Sequence, residues 1–546
     1  MKKLIAALLV LAMALSMAAC GAKSETKGSG ETAAPAAPAE TQDNAAVIEA
    51  AAEKADANYG DGVLDINMGF SLESTTNFRN NTGRDQQIMH ILYEQLGIFT
   101  ESGELAPWVA KEWHTEDGGF NYTVTIWDNV YDQAGNHITI DDIIWNIEES
   151  IARALKPCFA KVVSVSKIDD YTMNVEMTSN IVGSFEAVMS DVFVVSKAAF
   201  EASGNEFADN VVSTSAYKMT EFVPSNSISV EKVSNHWMAE DQMPDLVRPK
   251  VDKMRFHMIS EASQIGIALE TGKIDVALSM DTTAAVQYVN NPDFVCEQFS
   301  GNQGWQLFFS GHESRPVAND LALRQAICYA INTDEMIQGL SQGYGESMAD
   351  VCSPRHIGYN KAWEGQPYYQ QDLEKAKELV AESGYNGEEL SILCSSSTFV
   401  TRLAQMIQAY CGQVGINVKV DARETAQMVA IRLDGSQYDM FINTIGGTYC
   451  ADHWSIRYDP KAYATGDGTS RHDYTLGELL YKTWTVEGYT QENIDEVHNY
   501  IRDNAIAYGM INPTVFNVWN AKIGLSNPVL FANGGIAVQA CDYVSY

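Results

Sequence analysis

LSILCSSSTFVTRLAQMIQAYCGQVGINVKVDARETAQMVAIRLDGSQYDMFINT, residues 390–444, is the stretch that decides the fold. Leu390 to Cys394 is an apolar run of the length of a buried strand. Val400 to Val414 spaces Leu403, Met406, Ile407, Tyr410 and Val414 along one helical face. Gly415 follows, where a helix end favours a left-handed residue. Ile416 to Val420 is again strand-like, Thr425 to Leu433 helical, and Tyr438 to Thr444 a third strand. This alternation predicts an α/β fold whose parallel strands are joined by right-handed crossovers. Ligands of such sheets sit beyond the carboxyl ends of the strands, which points to the loops near Ser395 and Gly446.

Upstream, Val63 to Phe70 alternates as a strand, and the turn Asp117-Gly118-Gly119 leads into the β-branched run Tyr122 to Ile126. Thr139-Ile140-Asp141-Asp142 reads as a capping box with Asp in place of Glu. The helix it opens carries Ile143, Ile144, Ile147 and Ile151 on one stripe. Val163 to Val175 is a strand pair turning at Asp169-Asp170. Leu321 to Ile331 is an apolar helix, and Thr333 is placed to cap the next one.

The amino terminus carries a different message. Lys2 and Lys3 precede an apolar run from Leu4 to Leu15, then Met17-Ala18-Ala19-Cys20-Gly21. Charge, apolar core and small residues make a secretory signal peptide, 1–19, too short to serve as a spanning helix. The cysteine at the cut resembles a bacterial lipobox, with Met17 where leucine is usual, so Cys20 is the expected lipidation site. Residues 20–58 are rich in Gly, Ser, Thr, Ala, Pro and Glu and poor in large apolar side chains, which predicts a flexible linker. No later apolar run is long enough to span a bilayer.

The chain has 71 acidic against 36 basic residues and a formal net charge of −35, which argues against nucleic acid as a partner. Eight cysteines follow Cys20, and their even count in an exported protein allows disulfides. Their spacings are wide, no Cys-x-x-Cys pair occurs, and Cys328, Cys394 and Cys411 sit in apolar contexts typical of buried thiols. Gly339-Leu340-Ser341-Gln342-Gly343 fits the hydrolase pattern Gly-x-Ser-x-Gly, but a helical stretch precedes it where a nucleophile elbow needs a strand. His312-Glu313 lacks the second histidine of a metalloprotease helix, so no enzyme is indicated.

Several segments, in order, resemble one family. Leu105 to Trp113, Asp117 to Ile126 and Tyr131 to Trp145 are similar to its signature. Ala216-Tyr217-Lys218 stands where the family has a Gly-Pro-Tyr strand, with Ser215-Ala216 replacing Gly-Pro, and Val230 to Trp237 resembles its Asn-x-x-Tyr-Trp turn. Gly272 to Val276, Leu323 to Ile327 with Ala330-Ile331-Asn332, and Tyr438-Asp439-Met440 match three more motifs. By these residues, from about 60 to 525, the chain resembles extracytoplasmic solute-binding protein family 5 of ABC importers, which holds oligopeptide-, dipeptide- and nickel-binding proteins. The resemblance implies a two-lobed, type II periplasmic-binding-protein-like fold with mixed sheets, a hinge of two crossing strands and an extra subdomain in the first lobe. Lobe I is expected over 59–303 plus 515–546 and lobe II over 304–514, with Gln306 to Phe309 and Thr514 to Phe516 near the crossings. It implies a monomer without catalytic activity or cofactor, lipid-anchored outside the cytoplasm, handing a small solute to the transmembrane subunits of an ABC permease.

The resemblance also suggests ligand residues. In oligopeptide-binding relatives, the loop corresponding to Tyr449-Cys450-Ala451-Asp452 uses its aspartate to bind a peptide amino terminus, which makes Asp452 the first candidate. A buried ammonium needs such a fixed anion. Tyr449, Trp454 and Trp305 are candidate aromatic walls, and Glu73 and Asn77 lie in the loop after the first strand. Relatives carry an arginine either at the place of Gly446 or after the strand equivalent to Leu390 to Cys394; here Ser395, Ser396, Ser397, Thr398 and Phe399 stand in the second place. Ser397 and Phe399 are therefore candidate ligand residues in a loop suited to a neutral polar group. A longer peptide, a peptide-like metabolite, a carbohydrate and a nickel or metal chelate all remain open, as does a sensory role. His453 beside Asp452 is the only histidine that favours the chelate.

Overall fold

The computed structural model describes residues 43–78, 86–301, 303–352, 354, 356, 358–446, 450–452, 454–462, 468–469, 473–531 and 534–546. The signal peptide, Cys20 and most of the proposed linker lie outside these residues, as do Tyr449 and His453. In the deciding stretch the three strands are Leu390–Ser395, Val418–Arg423 and Met440–Gly446, with helices Thr398–Gln413 and Thr425–Arg432 between them. The first strand pairs with the other two in parallel register, as the alternation requires. Gly415 has φ +84°, the left-handed turn that frees the chain to enter the second strand.

Beyond this unit the sheet becomes mixed. Met440–Gly446 pairs antiparallel with Gln303–Phe309, which pairs antiparallel with the long strand Ala507–Asn520. The carboxyl half of Ala507–Asn520 pairs with Phe294–Ser300, from Ser300 opposite Thr514 to Phe294 opposite Asn520. It also pairs with Val276–Met280, and from there the sheet runs through Leu64–Asn67, Lys253–His257, Ser227–Lys232 and Tyr217–Val223. One long strand thus serves two sheet halves, and the chain crosses between them near Gly301 and near Asn512-Pro513. The two crossings touch: a side chain at Gly301 would meet Asn512 Oδ1 at 3.0 Å and the Pro513 carbonyl oxygen at 3.1 Å. Glycine admits this close backbone approach.

Separate apolar cores pack against each half. One includes Leu64, Ile66, Phe256, Trp519 and Leu525; another includes Leu307, Ile327, Leu403, Ile407 and Met440. A third core, with Val124, Ile143, Ile147, Phe159 and Val175, belongs to a four-stranded antiparallel sheet built from residues 110–177. Its strand pair is Val162–Lys167 with Thr172–Met177, and its helix is Ile140–Ala152. Asp142 performs the expected cap, accepting from the Thr139 backbone N–H at 3.1 Å and also from Lys197 N–H at 2.9 Å.

Two readings of the sequence need correction. Residues 43–58 are not a free linker. Asn44–Ala52 is a helix, opened by Asp43 accepting from the backbone of Ala45, and Ile48 and Ala51 are buried. Asn44 exchanges two hydrogen bonds with the backbone of Gln298, at 2.7 and 3.1 Å. Composition hid this because alanine favours helices and needs only a few apolar neighbours to dock. The cap of the helix Thr333–Ser341 is Asn332, one residue earlier than expected, whose side chain accepts from Glu335 N–H at 2.9 Å.

Candidate functional site

Beyond the strand Met440–Gly446, Cys450-Ala451-Asp452 meets the segment that follows the four-stranded subdomain. Ala451 N–H donates to the Val182 carbonyl at 2.9 Å, and Val182 N–H donates to the Trp484 carbonyl at 2.9 Å. Lys161, at the end of the 3-10 turn Pro157–Lys161, directs its ammonium into this contact. Its Nζ lies 2.6 Å from the Asp452 carboxylate, 3.0 Å from Ser184 Oγ and 3.2 Å from Cys450 Sγ. The Cys450 thiol donates to Asp452 Oδ1 at 2.9 Å.

The charges here are only partly screened. The Lys161 and Asp452 side chains are 16% and 17% exposed. Burial alone would lower the Lys161 pKa, but its partners Cys450 and Asp452, of which the Asp452 carboxylate carries the charge at neutral pH, outweigh it and raise it, so the ammonium persists. Burial, and then Asp452, push the Cys450 thiol up and keep it protonated at neutral pH. The cluster is therefore a charge-assisted junction between two parts of the chain 291 residues apart.

The other expected residues are dispersed. Trp454 is 4% exposed; its Nε1 donates to His356 Nε2 at 2.8 Å, and its ring stacks on His498 at 4.5 Å. It braces the loop from below instead of offering a free face. Trp305 and Phe399 do meet, ring centroids 5.5 Å apart and both half-buried, so they form one aromatic patch near the helix start at Ser397. Ser397 is exposed and its Oγ lies 3.2 Å from Ser395 Oγ. Glu73 is exposed and accepts from Ser225 on the hairpin between Tyr217–Val223 and Ser227–Lys232. Asn77 is buried and donates to the Phe193 carbonyl at 3.4 Å.

Sequence reasoning missed Lys161 and Ser184. Neither stands in a recognised motif, and only the folded chain brings them to Asp452. The motif residues themselves do structural work. Asp439 is fully buried, paired with Arg315 and accepting from Ser391 N–H at 2.7 Å. Arg324 spends its guanidinium on the carbonyls of Val317, Asn504 and Ala505. Ser341 closes the helix Thr333–Ser341 and is 1% exposed, so Gly-x-Ser-x-Gly makes no nucleophile elbow here.

Residues 104–462 match the model of the bacterial extracellular solute-binding proteins, family 5. The chain belongs to this family. Its members are solute-binding proteins of ABC transporters, not enzymes. The glutathione-binding protein GsiB of Escherichia coli O1:K1 is 22% identical over 373 residues, 67% of this chain and 70% of that one. Among solved structures, the substrate-binding protein CtaP of Listeria monocytogenes superposes with TM-score 0.71 at 20% identity, over 85% of this chain and 95% of that one. DppA of Helicobacter pylori, in complex with the peptide STSA, superposes with TM-score 0.70 at 22% identity, over 88% and 97%. These likenesses give the fold: a type II periplasmic-binding-protein fold with a large mixed sheet. Among the described residues no helix is long and apolar enough to cross a membrane.

Proposed function

We propose that this protein is the lipid-anchored capture subunit of an ABC importer and takes a peptide or peptide-like zwitterion. The observation that carries the reading is the meeting of Lys161 and Asp452 at the loop after the strand Met440–Gly446. A zwitterionic solute offers an ammonium to Asp452 and a carboxylate to Lys161. Lys161 thereby supplies the cation that the serine-rich loop 395–399 lacks. Glutathione, the solute named for GsiB, and the peptide held by DppA both carry these two groups and support the choice.

In this reading lobe I comprises 59–303 with 515–546, lobe II comprises 304–514, and the solute lies between them. The close approach of Gly301 to the Asn512 side chain and the Pro513 carbonyl then marks the hinge, with solute binding favouring the closed state. Trp305 and Phe399 form an aromatic wall, Cys20 carries the lipid, and the permease receives the solute from the closed monomer.

Thermal melting against di- to pentapeptides, glutathione, sugars and nickel chelates tests this. Binding to the native state alone adds about 2.7 kcal/mol at a hundredfold excess over Kd. A shift with free-amine peptides that disappears on N-acetylation and in Asp452→Asn is the expected result. A shift with a sugar or chelate and none with any peptide overturns the ligand while leaving the transport class intact.

A further inference from the structure

Beneath the loop 450–454 lies a second cluster that the solute reading does not use. Asp350 and Cys352 follow the short strand Gly345–Ser347, and His498 projects from the helix Gln491–Asp503. One donor atom from each, a carboxylate oxygen, the thiol sulfur and an imidazole nitrogen, lies within 4.8 Å of the others. Their burial is nearly complete, at 2%, 1% and 2% exposure. Ligand atoms around tetrahedral zinc, at about 2.0–2.3 Å from the ion, stand roughly 3.3–3.7 Å apart, so a small rotamer adjustment suffices.

We propose that Asp350, Cys352 and His498 form a buried structural site for zinc or a similar borderline divalent ion. It is distinct from any metal carried as cargo. The donor chemistry is suitable: a thiolate and an imidazole select such ions over calcium or magnesium. The charge also balances, since a carboxylate and a thiolate neutralise a 2+ ion while the imidazole stays neutral. Binding displaces the Cys352 thiol proton, which leaves with solvent as the sulfur–metal bond forms. Arg502, one turn after His498, donates through Nη1 to the Ala349 carbonyl at 2.9 Å, which ties the helix to the segment that carries Asp350 and Cys352.

The surroundings orient the donors. The Trp454 ring lies flat against His498, centroids 4.5 Å apart and planes 10° apart, and His356 fixes the indole N–H at 2.8 Å. Contacts of this kind from Trp454 and His356 hold a metal-ligating imidazole in place. Asp350 faces His498 Nδ1 directly, and the ion would replace the hydrogen bond between these two ligands. Through Trp454 the site anchors the loop that carries Asp452, two residues away.

The alternative filling is protons alone: an Asp350–His498 pair with a neutral thiol beside it. Metal analysis separates the two. Full-length protein produced in zinc-supplemented medium and dialysed should hold close to one zinc per chain. Cys352→Ser and His498→Gln should each lower that content by roughly tenfold or more. Cobalt in place of zinc should give a thiolate-to-metal charge-transfer absorption that Cys352→Ser abolishes. Circular dichroism establishes that each variant is folded, and Cys352→Ala serves if the serine is not tolerated. Wild-type protein without zinc, variants that keep it, or cobalt without a thiolate band would each overturn the site.

Discussion

At the residue scale the junction of Lys161 with Asp452 ties together two parts of the chain 291 residues apart. Neutralising either partner leaves the other charge in a pocket with little water, so the single changes Lys161→Met and Asp452→Asn should both destabilise. Their combination should cost less than the sum, with a coupling of about 1–3 kcal/mol in a urea-unfolding cycle. A coupling below about 0.5 kcal/mol would mean that the two residues part in solution. His90 makes a different prediction. It stacks on Phe531 at 5.3 Å, and burial, aided by Lys156, lowers its pKa to about 4. Because the folded value lies below the unfolded value near 6.5, its contribution is complete above pH 6.5 and fades as pH falls toward 4. From pH 7 to pH 5 that loss is about 2 kcal/mol. A His90→Leu variant should lack this portion of the acid sensitivity in urea midpoints measured at both pH values. An identical pH slope in variant and wild type would exclude His90 as the source.

At the element scale, single side chains pin the ends of helices and strands. Asp142 satisfies the backbone N–H groups of both Thr139 and Lys197, joining the start of Ile140–Ala152 to the start of Lys197–Ser203. Asp142→Ala should lower stability by about 1–2 kcal/mol, read as a fall in melting midpoint. An unchanged midpoint would mean that water replaces the carboxylate at no cost. This cap was legible in the sequence because it is local: three residues separate donor and acceptor. The elements of 390–444 were legible for the same reason, since periodicity reports which face is buried. The helix Asn44–Ala52 was not, because its docking partner Gln298 is 254 residues away. The candidate site divides along the same line. Asp452 followed from its place after a strand, whereas Lys161 and Ser184 reach it only through the tertiary fold. The motifs that revealed the family, such as Asp439 and Arg324, were readable because their bonds are structural. Trp454, a candidate aromatic wall by its place beside Asp452, packs its ring against His356 and His498, contacts that sequence spacing does not reveal.

At the scale of the whole molecule, charge and attachment oppose each other. A net charge of −35 repels an anionic bilayer surface, so electrostatics cannot hold the protein at the membrane. Each buried CH₂ of an acyl chain contributes about 0.8 kcal/mol, and stable anchoring takes more than one chain or a chain with a basic patch. A net charge of −35 makes charge a poor second anchor, and acylation of Cys20 is the proposed attachment. Cys20→Ser should therefore move the protein from the membrane fraction to the soluble fraction. Because the body is repelled at every ionic strength, the released variant should stay soluble in low and in high salt alike. Wild-type protein should resist high salt and leave the membrane only with detergent. Membrane retention of the serine variant would show that another segment holds the chain, and salt-sensitive release of the wild type would show a charged contact in place of the lipid.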